Sequence, residues 1–595
     1  MLPQIIVVVV IIGILTMFVR GNLRYDFVSL LGLLILIYTG IIDAEIAFQG
    51  FSHPAVITVA SVLIISAGLS KTGAIDRLVA LIDRGPNKLS LEILLLMTIT
   101  AGLSAFMNNV GALALVMPVA LKIGKDKKIA PSKLLMPVAF ASLLGGMITG
   151  IGTPPNLIVS TYRMQALGEG FPLFAFTPVG LSLAALGIVF TVLLGYRFLP
   201  DRESLSLREQ FNIEDYLFEL VVSEECQREG MRLEDMFDQF AVNVNVVSVL
   251  SQGKRTVSPG GSQILYPDDI LIVEAMSADL NELITKTCFD LKGAQTEKLV
   301  SDRILRSEDI ALVEVVLRSD SPLIGKTAVE ARLRNRYNAN LLAVSSRGVP
   351  RISRLKNLRF RSGDLLLLQA PRATLNETYT KMRALPLAER EVGISIEDFG
   401  KSQLTALGIF LLSILLTALS LLPVHVSFAS AALSLILFRI ITPREFYEAV
   451  EWPTIFMIGS LFALGEAMRI SGLSQTIASA LALLAGRFPP AFMVAIILSI
   501  GIFFTNIINN TAATILLSPI AVSVAAAMGV SPDPLLMAVC VGTSISFITP
   551  IAHQSNILIM GPGGYKFSDF WRLGLPLSIL LMVAGVPLIL RVWPF

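Results

Sequence analysis

Long apolar runs, each close to the roughly 20 residues that cross a bilayer, recur along both ends of the chain. They predict spans near residues 3–19, 26–42, 54–71, 133–162 and 172–198, and again near 403–421, 425–441, 453–470, 533–560 and 572–593. Two further runs, 89–122 and 489–526, are interrupted by polar residues halfway. The first has basic residues at both ends and room for two half-length helices, which suits a re-entrant hairpin. The second reads as its counterpart. Between the two ends the pattern changes to strand spacing, as in "LFELVVS" (Leu217–Ser223), "IALVEVVL" (Ile310–Leu317) and "GDLLLLQA" (Gly363–Ala370). The expected architecture is a polytopic α-helical membrane protein with about ten spans and two re-entrant hairpins. Its parts are a first membrane repeat at 1–199, an α+β insert at 200–399 and a second membrane repeat at 400–595. The insert reads as two copies of a small module, about 214–285 and 308–382. Each has an acidic turn, Asp268-Asp269 or Gly363-Asp364, ahead of its last apolar strand.

Composition sharpens this division. The chain is 54% hydrophobic and 15% charged, where a soluble globular chain carries about 25% charged residues. Of the 45 acidic residues, 29 lie between Asp201 and Glu391, so the middle is the water-soluble part. A net charge of +2 points to no nucleic-acid partner. Cys226, Cys288 and Cys540 have neither metal-ligand nor disulfide-framework spacing. The first apolar run lacks a basic start and a small-residue cleavage site, so it reads as a span and not as a removable signal. Five lysines within Lys122–Lys133 assign that loop to the cytoplasm. Counting spans from there puts the insert in the cytoplasm and both termini outside, in the plasma (inner) membrane. There is no P-loop and no HExxH, and the chain has only three histidines, His53, His425 and His553, which argues against an enzyme.

The two ends repeat each other. "HPAVITVASVLIISAGLSKTG" (His53–Gly73) aligns with "EWPTIFMIGSLFALGEAMRISG" (Glu451–Gly472), pairing Pro54 with Pro453 and Gly73 with Gly472 at an offset of 399. "MNNVGALALVMPVA" aligns with "INNTAATILLSPIA" at an offset of 401, pairing Asn108 with Asn509, Asn109 with Asn510 and Pro118 with Pro519. "GTPPNLIV" (Gly152–Val159) aligns with "ITPIAHQSNILI" (Ile548–Ile559), with four extra residues in the second copy. That alignment sets Gly152 against Ile548 and Thr153 against Thr549. Three matches in order mark an internal duplication. The span count turns the second copy upside down, and inverted repeats with broken helices are the build of secondary transporters.

The polar residues at the hairpin tips raise a solvation problem. An unsatisfied amide in hydrocarbon costs about 4–8 kcal/mol, yet Asn108, Asn109, Asn509 and Asn510 sit in apolar runs. A lone pair of asparagines in a membrane helix is usually interhelical glue. Recurrence at mirrored positions points instead to a site. "GTPPN" cannot continue a helix, because Pro154 and Pro155 remove donors and push the preceding residue out of the helical region. The carbonyls freed near Gly152 and Thr153 are hard oxygen ligands, and the hairpin tips offer helix N-termini that favour anions. Glu466 is an intramembrane acid, either a proton site or a structural pair near a helix end. His553, with Asn556 close behind, either touches substrate or caps a broken helix.

With these motifs the chain resembles the divalent anion:sodium symporter (DASS) family. Its two tip motifs usually read Ser-Asn-Thr; here they read Asn108-Asn109-Val110 and Asn509-Asn510-Thr511. "GFSHPAVITVA" and "HQSNILIMGPGGY" further resemble the branch with cytoplasmic regulatory domains that is often assigned to sulfate. The resemblance implies one sodium site at Ser104, Asn108, Asn109 and the Gly152 backbone, and another at Thr505, Asn509, Asn510 and the Ile548 backbone. It implies an anion between the tips, near Asn109, Val110 and Thr153 on one side and Asn510, Thr511 and Thr549 on the other. Asn108 and Asn509, with Pro154 and Pro550 at the breaks, belong to the same frame. Val110 departs from the family's hydroxyl and tilts the reading toward a small tetrahedral anion. Sodium-coupled symport of sulfate is therefore the leading expectation, with a dicarboxylate symporter or a proton-coupled antiporter as alternatives. The insert resembles two TrkA-C (RCK C-terminal) domains, which implies a homodimer and a small regulatory ligand. The implied partners are otherwise the anion, the co-transported sodium ions and the bilayer, with no organic cofactor.

Overall fold

The computed structural model describes residues 2–20, 23–73, 88–202, 217–223, 231–233, 245–251, 254–257, 263–274, 289–291, 310–318, 320–346, 349–351, 355, 358–387, 400–485 and 489–595. Cys226, Cys288 and the module edges expected near 214, 285 and 308 lie outside these residues. The chain forms two units. One comprises Met1–Arg202, Gly393–Ile559 and Tyr565–Phe595, the other Glu203–Val392 and Met560–Gly564.

The first unit is helical. Its N-terminal stretch holds α1 (Leu2–Arg20), α2 (Tyr25–Tyr38), α3 (Pro54–Thr72), α4 (Leu89–Ser104), α5 (Asn109–Asp126), α6 (Pro131–Gly146), α7 (Pro154–Leu167) and α8 (Thr177–Leu193). Its C-terminal stretch holds α9 (Lys401–Ala418), α10 (Val424–Leu437), α11 (Trp452–Ile470) and α12 (Leu473–Ala485). It continues with α13 (Pro490–Thr505), α14 (Asn510–Met528), α15 (Asp533–Ser544), α16 (Gln554–Met560) and α17 (Phe570–Val592). The runs expected as single spans at 133–162 and 533–560 are each two helices with an irregular break between them. Helix α12 has no counterpart among the expected spans.

Among the described residues, five helical stretches are long and apolar enough to cross a membrane: Ala44–Thr72, Lys401–Ala418, Trp452–Ile470, Asn510–Met528 and Phe567–Val592. Leu and Ile side chains such as Ile5, Leu411, Leu415 and Ile579 face outward, which water would penalise and hydrocarbon does not. Small residues set the closest helix contacts, as membrane packing favours. A Cβ on Gly145 of α6 would strike the Ala101 backbone of α4, and one on Gly542 of α15 would lie 2.5 Å from the Leu498 carbonyl of α13. Arg163 Nε of α7 meets Asp533 Oδ1 of α15 at 2.9 Å, and Lys127, just past α5, pairs with the buried Glu92 of α4.

The second unit contains two five-stranded antiparallel sheets. The first is built from β1 (Leu217–Val222), β3 (Asn245–Ser251), β4 (Lys254–Val257), β6 (Ile270–Glu274) and β7 (Phe289–Leu291), and β2 (Met231–Arg232) pairs with β5 (Ile264–Leu265) beside it. The second is built from β8 (Ile310–Leu317), β9 (Asn340–Ser346), β10 (Val349–Arg351), β11 (Leu365–Pro371) and β12 (Ala384–Pro386). The orders β4-β3-β6-β1-β7 and β10-β9-β11-β8-β12 are the same arrangement. Both carry a register shift where the second strand of the module pairs with the fourth. The acidic turns have a mechanical reason. Asp269 Oδ2 accepts from Tyr266 N and Asp364 Oδ2 from Arg361 N, both at 2.8 Å. The residue before each aspartate is left-handed, Asp268 at φ 68° and Gly363 at φ 80°, a conformation that Gly and Asp tolerate. Each sheet also gains a short fifth strand beyond the expected module, β7 and β12.

Candidate functional site

The two helix breaks with paired asparagines share one local construction. Asn108 and Asn509 are the N-caps of α5 and α14; Asn108 Oδ1 accepts from Gly111 N and Asn509 Oδ1 from Ala512 N, both at 2.7 Å. An asparagine cap answers one of the four N–H groups a helix start leaves unpaired, and this removes much of the solvation cost of these amides. Just upstream, the Ser104 hydroxyl lies 2.7 Å from the Ser142 carbonyl, and the Thr505 hydroxyl donates to the Thr543 carbonyl at 2.7 Å. Each of these bonds recurs 401 residues on.

The second element at each tip is the break between α6 and α7 or between α15 and α16. Asn156 Nδ2 donates to the carbonyls of Gly146 (2.9 Å) and Thr149 (2.6 Å). Asn556 Nδ2 donates to those of Ser546 (2.8 Å) and Thr549 (3.1 Å). The Thr149 hydroxyl reaches the Ala105 carbonyl, and the Thr549 hydroxyl reaches the Asn506 carbonyl. These bonds change the register expected at the break. Thr549 corresponds to Thr149, and the residue corresponding to Thr153 is His553. Thr153 has φ −149°, ψ 148° and His553 has φ −149°, ψ 146°. Each precedes a helix that leaves the break: Pro154 stands at the first turn of α7, whereas Pro550 opens a separate short turn, Pro550–Ala552. Ile548 donates its N–H to Asn506 Oδ1 at 3.0 Å.

The first tip gathers oxygens. Asn109 is buried, with Oδ1 2.9 Å from Ser104 Oγ. Gly152 brings two carbonyls together, since a Cβ there would lie 2.6 Å from the Gly146 oxygen and 3.0 Å from the Ser104 oxygen. A Cβ on Gly146 would crowd Asn109 Oδ1, so the glycine leaves the space that this side chain occupies. The second tip differs at that position. Ser546 replaces Gly146, its hydroxyl lies 2.7 Å from the Thr505 hydroxyl, and Asn510 Oδ1 accepts instead from Thr511 N at 2.9 Å. Thr505 and Asn510 are thus not joined as Ser104 and Asn109 are. Val110 and Thr511 are both buried. Thr153 Oγ1 and Asn556 Oδ1 are buried with no hydrogen-bond partner among the described residues.

His553 connects the halves. Its Nδ1 accepts from Ser555 N at 3.1 Å, capping α16, and its Nε2 lies 3.3 Å from the side-chain amide nitrogen of Asn109. Glu466 lies apart from this group and pairs with Arg469 at the end of α11. Residues absent from the sequence-based site are Ser142, Thr149, Asn156, Asn506, Thr543 and Ser546. Polar counterparts 400 or 401 residues apart were a signal for Ser142 with Thr543, for Thr149 and for Asn156, whereas Asn506 and Ser546 stand against Ala105 and Gly146 and carried none.

Comparison with known proteins gives the family of the chain. The citrate transporter family, CitMHS, matches residues 5–542. An uncharacterized transporter of Synechocystis sp. is 32% identical over 98% of this chain and 96% of its own length. An uncharacterized transporter of Escherichia coli is 29% identical over 98% of each chain. Sodium/sulfate cotransporter 1 of Chlamydomonas reinhardtii is 22% identical over 55% of this chain and 39% of its own. Names of transporters, together with long apolar helices, describe an integral membrane protein and agree with a role other than enzyme catalysis. The chain belongs to the citrate transporter (CitMHS) family.

Proposed function

We propose that the protein is a sodium-coupled symporter of a divalent inorganic anion, with sulfate the leading substrate, working by alternating access. The observation that carries this is the recurrence of the same capping and break hydrogen bonds 401 and 400 residues apart, with His553 of one half against Asn109 of the other. In this reading the halves are inverted repeats and the asparagine pairs are tips of re-entrant hairpins facing each other at the midplane. One sodium is held near Ser104, Asn108, Asn109 and Gly152, the other near Thr505, Asn509, Asn510 and Ile548. Hydroxyl, amide and backbone oxygens are the ligand type a hard cation takes. The anion lies between Asn109, Val110 and Thr153 on one side and Asn510, Thr511 and Thr549 on the other, with His553 within reach. Neither tip motif contains Arg or Lys, so bound sodium supplies the positive charge, and a partly loaded site carries an uncompensated charge that disfavours movement.

The sodium/sulfate cotransporter relative supports this substrate and coupling. The family's description as citrate transporters favours a second reading, a di- or tricarboxylate symporter. The insert is read as two TrkA-C modules in the cytoplasm, bearing on a homodimer and on a small regulatory ligand, in a plasma-membrane protein with both termini outside. Tracer sulfate uptake into proteoliposomes, with and without a sodium gradient and competed by citrate and succinate, tests the proposal. Uptake should need sodium and resist both carboxylates. Full-rate uptake with choline in place of sodium would overturn the coupling, and displacement by citrate would move the substrate to the second reading.

A further inference from the structure

The contact between the halves can be resolved by counting donors and acceptors. His553 Nδ1 accepts from the Ser555 backbone N–H at 3.1 Å, so in the neutral imidazole the proton sits on Nε2. That N–H faces the side-chain amide of Asn109 at 3.3 Å. On the other side of the same amide stands Ser104, whose hydroxyl lies 2.9 Å from Asn109 Oδ1 and 2.7 Å from the Ser142 carbonyl. One hydroxyl has a single hydrogen and cannot serve both acceptors at once. Rotating the amide by a half-turn satisfies every group. Asn109 Oδ1 then accepts from His553 Nε2–H, Asn109 Nδ2 donates to Ser104 Oγ, and Ser104 donates to Ser142.

The opposite orientation turns Asn109 Oδ1 toward Ser104 and the oxygens around Gly152. It sets an N–H of Asn109 against the N–H of His553, and two donors repel. His553 Nε2–H then needs another acceptor. Val110, the next residue along, carries no hydroxyl, where Thr511 carries one at the other tip.

We propose that the Asn109 amide is a two-position switch and that His553 stands in for the hydroxyl missing at Val110. With its oxygen toward Ser104, Asn109 is a sodium ligand and His553 Nε2–H is released to donate to the anion. With its oxygen toward His553, Asn109 takes that donor and withdraws from the sodium. Each ligand favours the orientation the other needs, so their binding is mutually enhanced. This rests on the sodium–anion reading above and supplies its coupling element.

The test measures sodium-dependent thermal stabilisation of the purified full-length protein, with and without sulfate, alongside tracer uptake. In His553→Asn the shorter amide keeps an oxygen where Nδ1 caps Ser555 but has nothing at the reach of Nε2. In His553→Gln the donor at that reach is kept. Wild type should need less sodium for half-stabilisation when sulfate is present, by about threefold to tenfold, the factor a single hydrogen bond supports. His553→Asn should bring that ratio close to one and raise the sulfate KM, and His553→Gln should restore part of both. A wild-type ratio in folded His553→Asn would overturn the switch and leave the symport reading standing. If wild type itself shows sodium-independent uptake and no sodium stabilisation, the symport reading fails and the switch falls with it.

Discussion

Gly152→Ala probes whether the first tip depends on converging backbone oxygens. Gly152 is not among the left-handed glycines, so alanine is not barred by backbone conformation. The obstacle is contact: the new Cβ would lie 2.6 Å from the Gly146 oxygen, 3.0 Å from Gly146 Cα and 3.0 Å from the Ser104 oxygen. All three are backbone atoms in packed segments, and Gly146 O is already tied to Asn156 at 2.9 Å. Relief requires moving the break away from the end of α4 by several tenths of an ångström, an overpacking cost of about 1–3 kcal/mol. If those oxygens belong to the sodium site, the same displacement also raises the half-saturating sodium concentration, by the part of that strain that differs between the empty and the loaded site. Gly102→Ala is the control on the same helix. A Cβ there meets nothing within 4 Å, and alanine in a helix interior is favoured over glycine by about 0.5–1 kcal/mol. The assay is thermal unfolding in detergent against sodium, followed by sodium-driven uptake. Unchanged stability and sodium dependence in Gly152→Ala would refute the claim that these carbonyls meet in a functional site.

Three further predictions concern caps and charges. Asn509→Ala removes the cap on Ala512 N and should cost about 0.5–2 kcal/mol of stability, most of it recovered by Asn509→Ser, measured by thermal melts. Glu466→Gln should leave uptake and its pH profile unchanged, because Glu466 is paired with Arg469 at a helix end; a lost or shifted pH profile would restore it as a proton site. At Glu445, between spans, burial acts to raise the carboxyl pKa. Hydrogen bonds from Lys71 and Thr442 outweigh it and hold the value below the usual range. A depressed folded-state pKa gives stability that is present at neutral pH and lost as pH falls through that value. The half-exposed pair makes this about 0–1 kcal/mol, and Glu445→Gln should flatten that part of the acid-side melting curve.

Helix starts at the tips were legible because they rest on local chemistry. Asparagine caps and Pro154 act on their own neighbours, so "MNNVG" and "GTPPN" announced a helix start and a helix break. The register across the second break was not legible from the same motif. Matching Thr153-Pro154 to Thr549-Pro550 pairs two dipeptides that do different work, since Pro154 begins a helix and Pro550 a short turn. The register is held by long-range bonds from Asn156 and Asn556, which reach back ten and seven residues to carbonyls. In the insert, the turn aspartates were readable because each serves its own turn. Strands β7 and β12 are three residues each, and edge pairing decides them more than any periodicity of their own.

One source of the asymmetry of the two tips is the difference between Gly146 and Ser546 in the two copies. Gly146 leaves room that Asn109 Oδ1 fills, and this draws Asn109 against Ser104 while its other edge faces His553. Ser546 brings a hydroxyl to the corresponding position, and that hydroxyl takes the Thr505 contact. Asn510 is then left to its own turn, accepting from Thr511. A repeat copied without change would give both tips the same set of hydrogen bonds. Here one asparagine is coupled across the halves and the other is held within its own, so the tips are inequivalent before any ligand arrives. Substitutions at Asn109 and Asn510 therefore report on different steps, even though the two residues occupy the same place in the repeat.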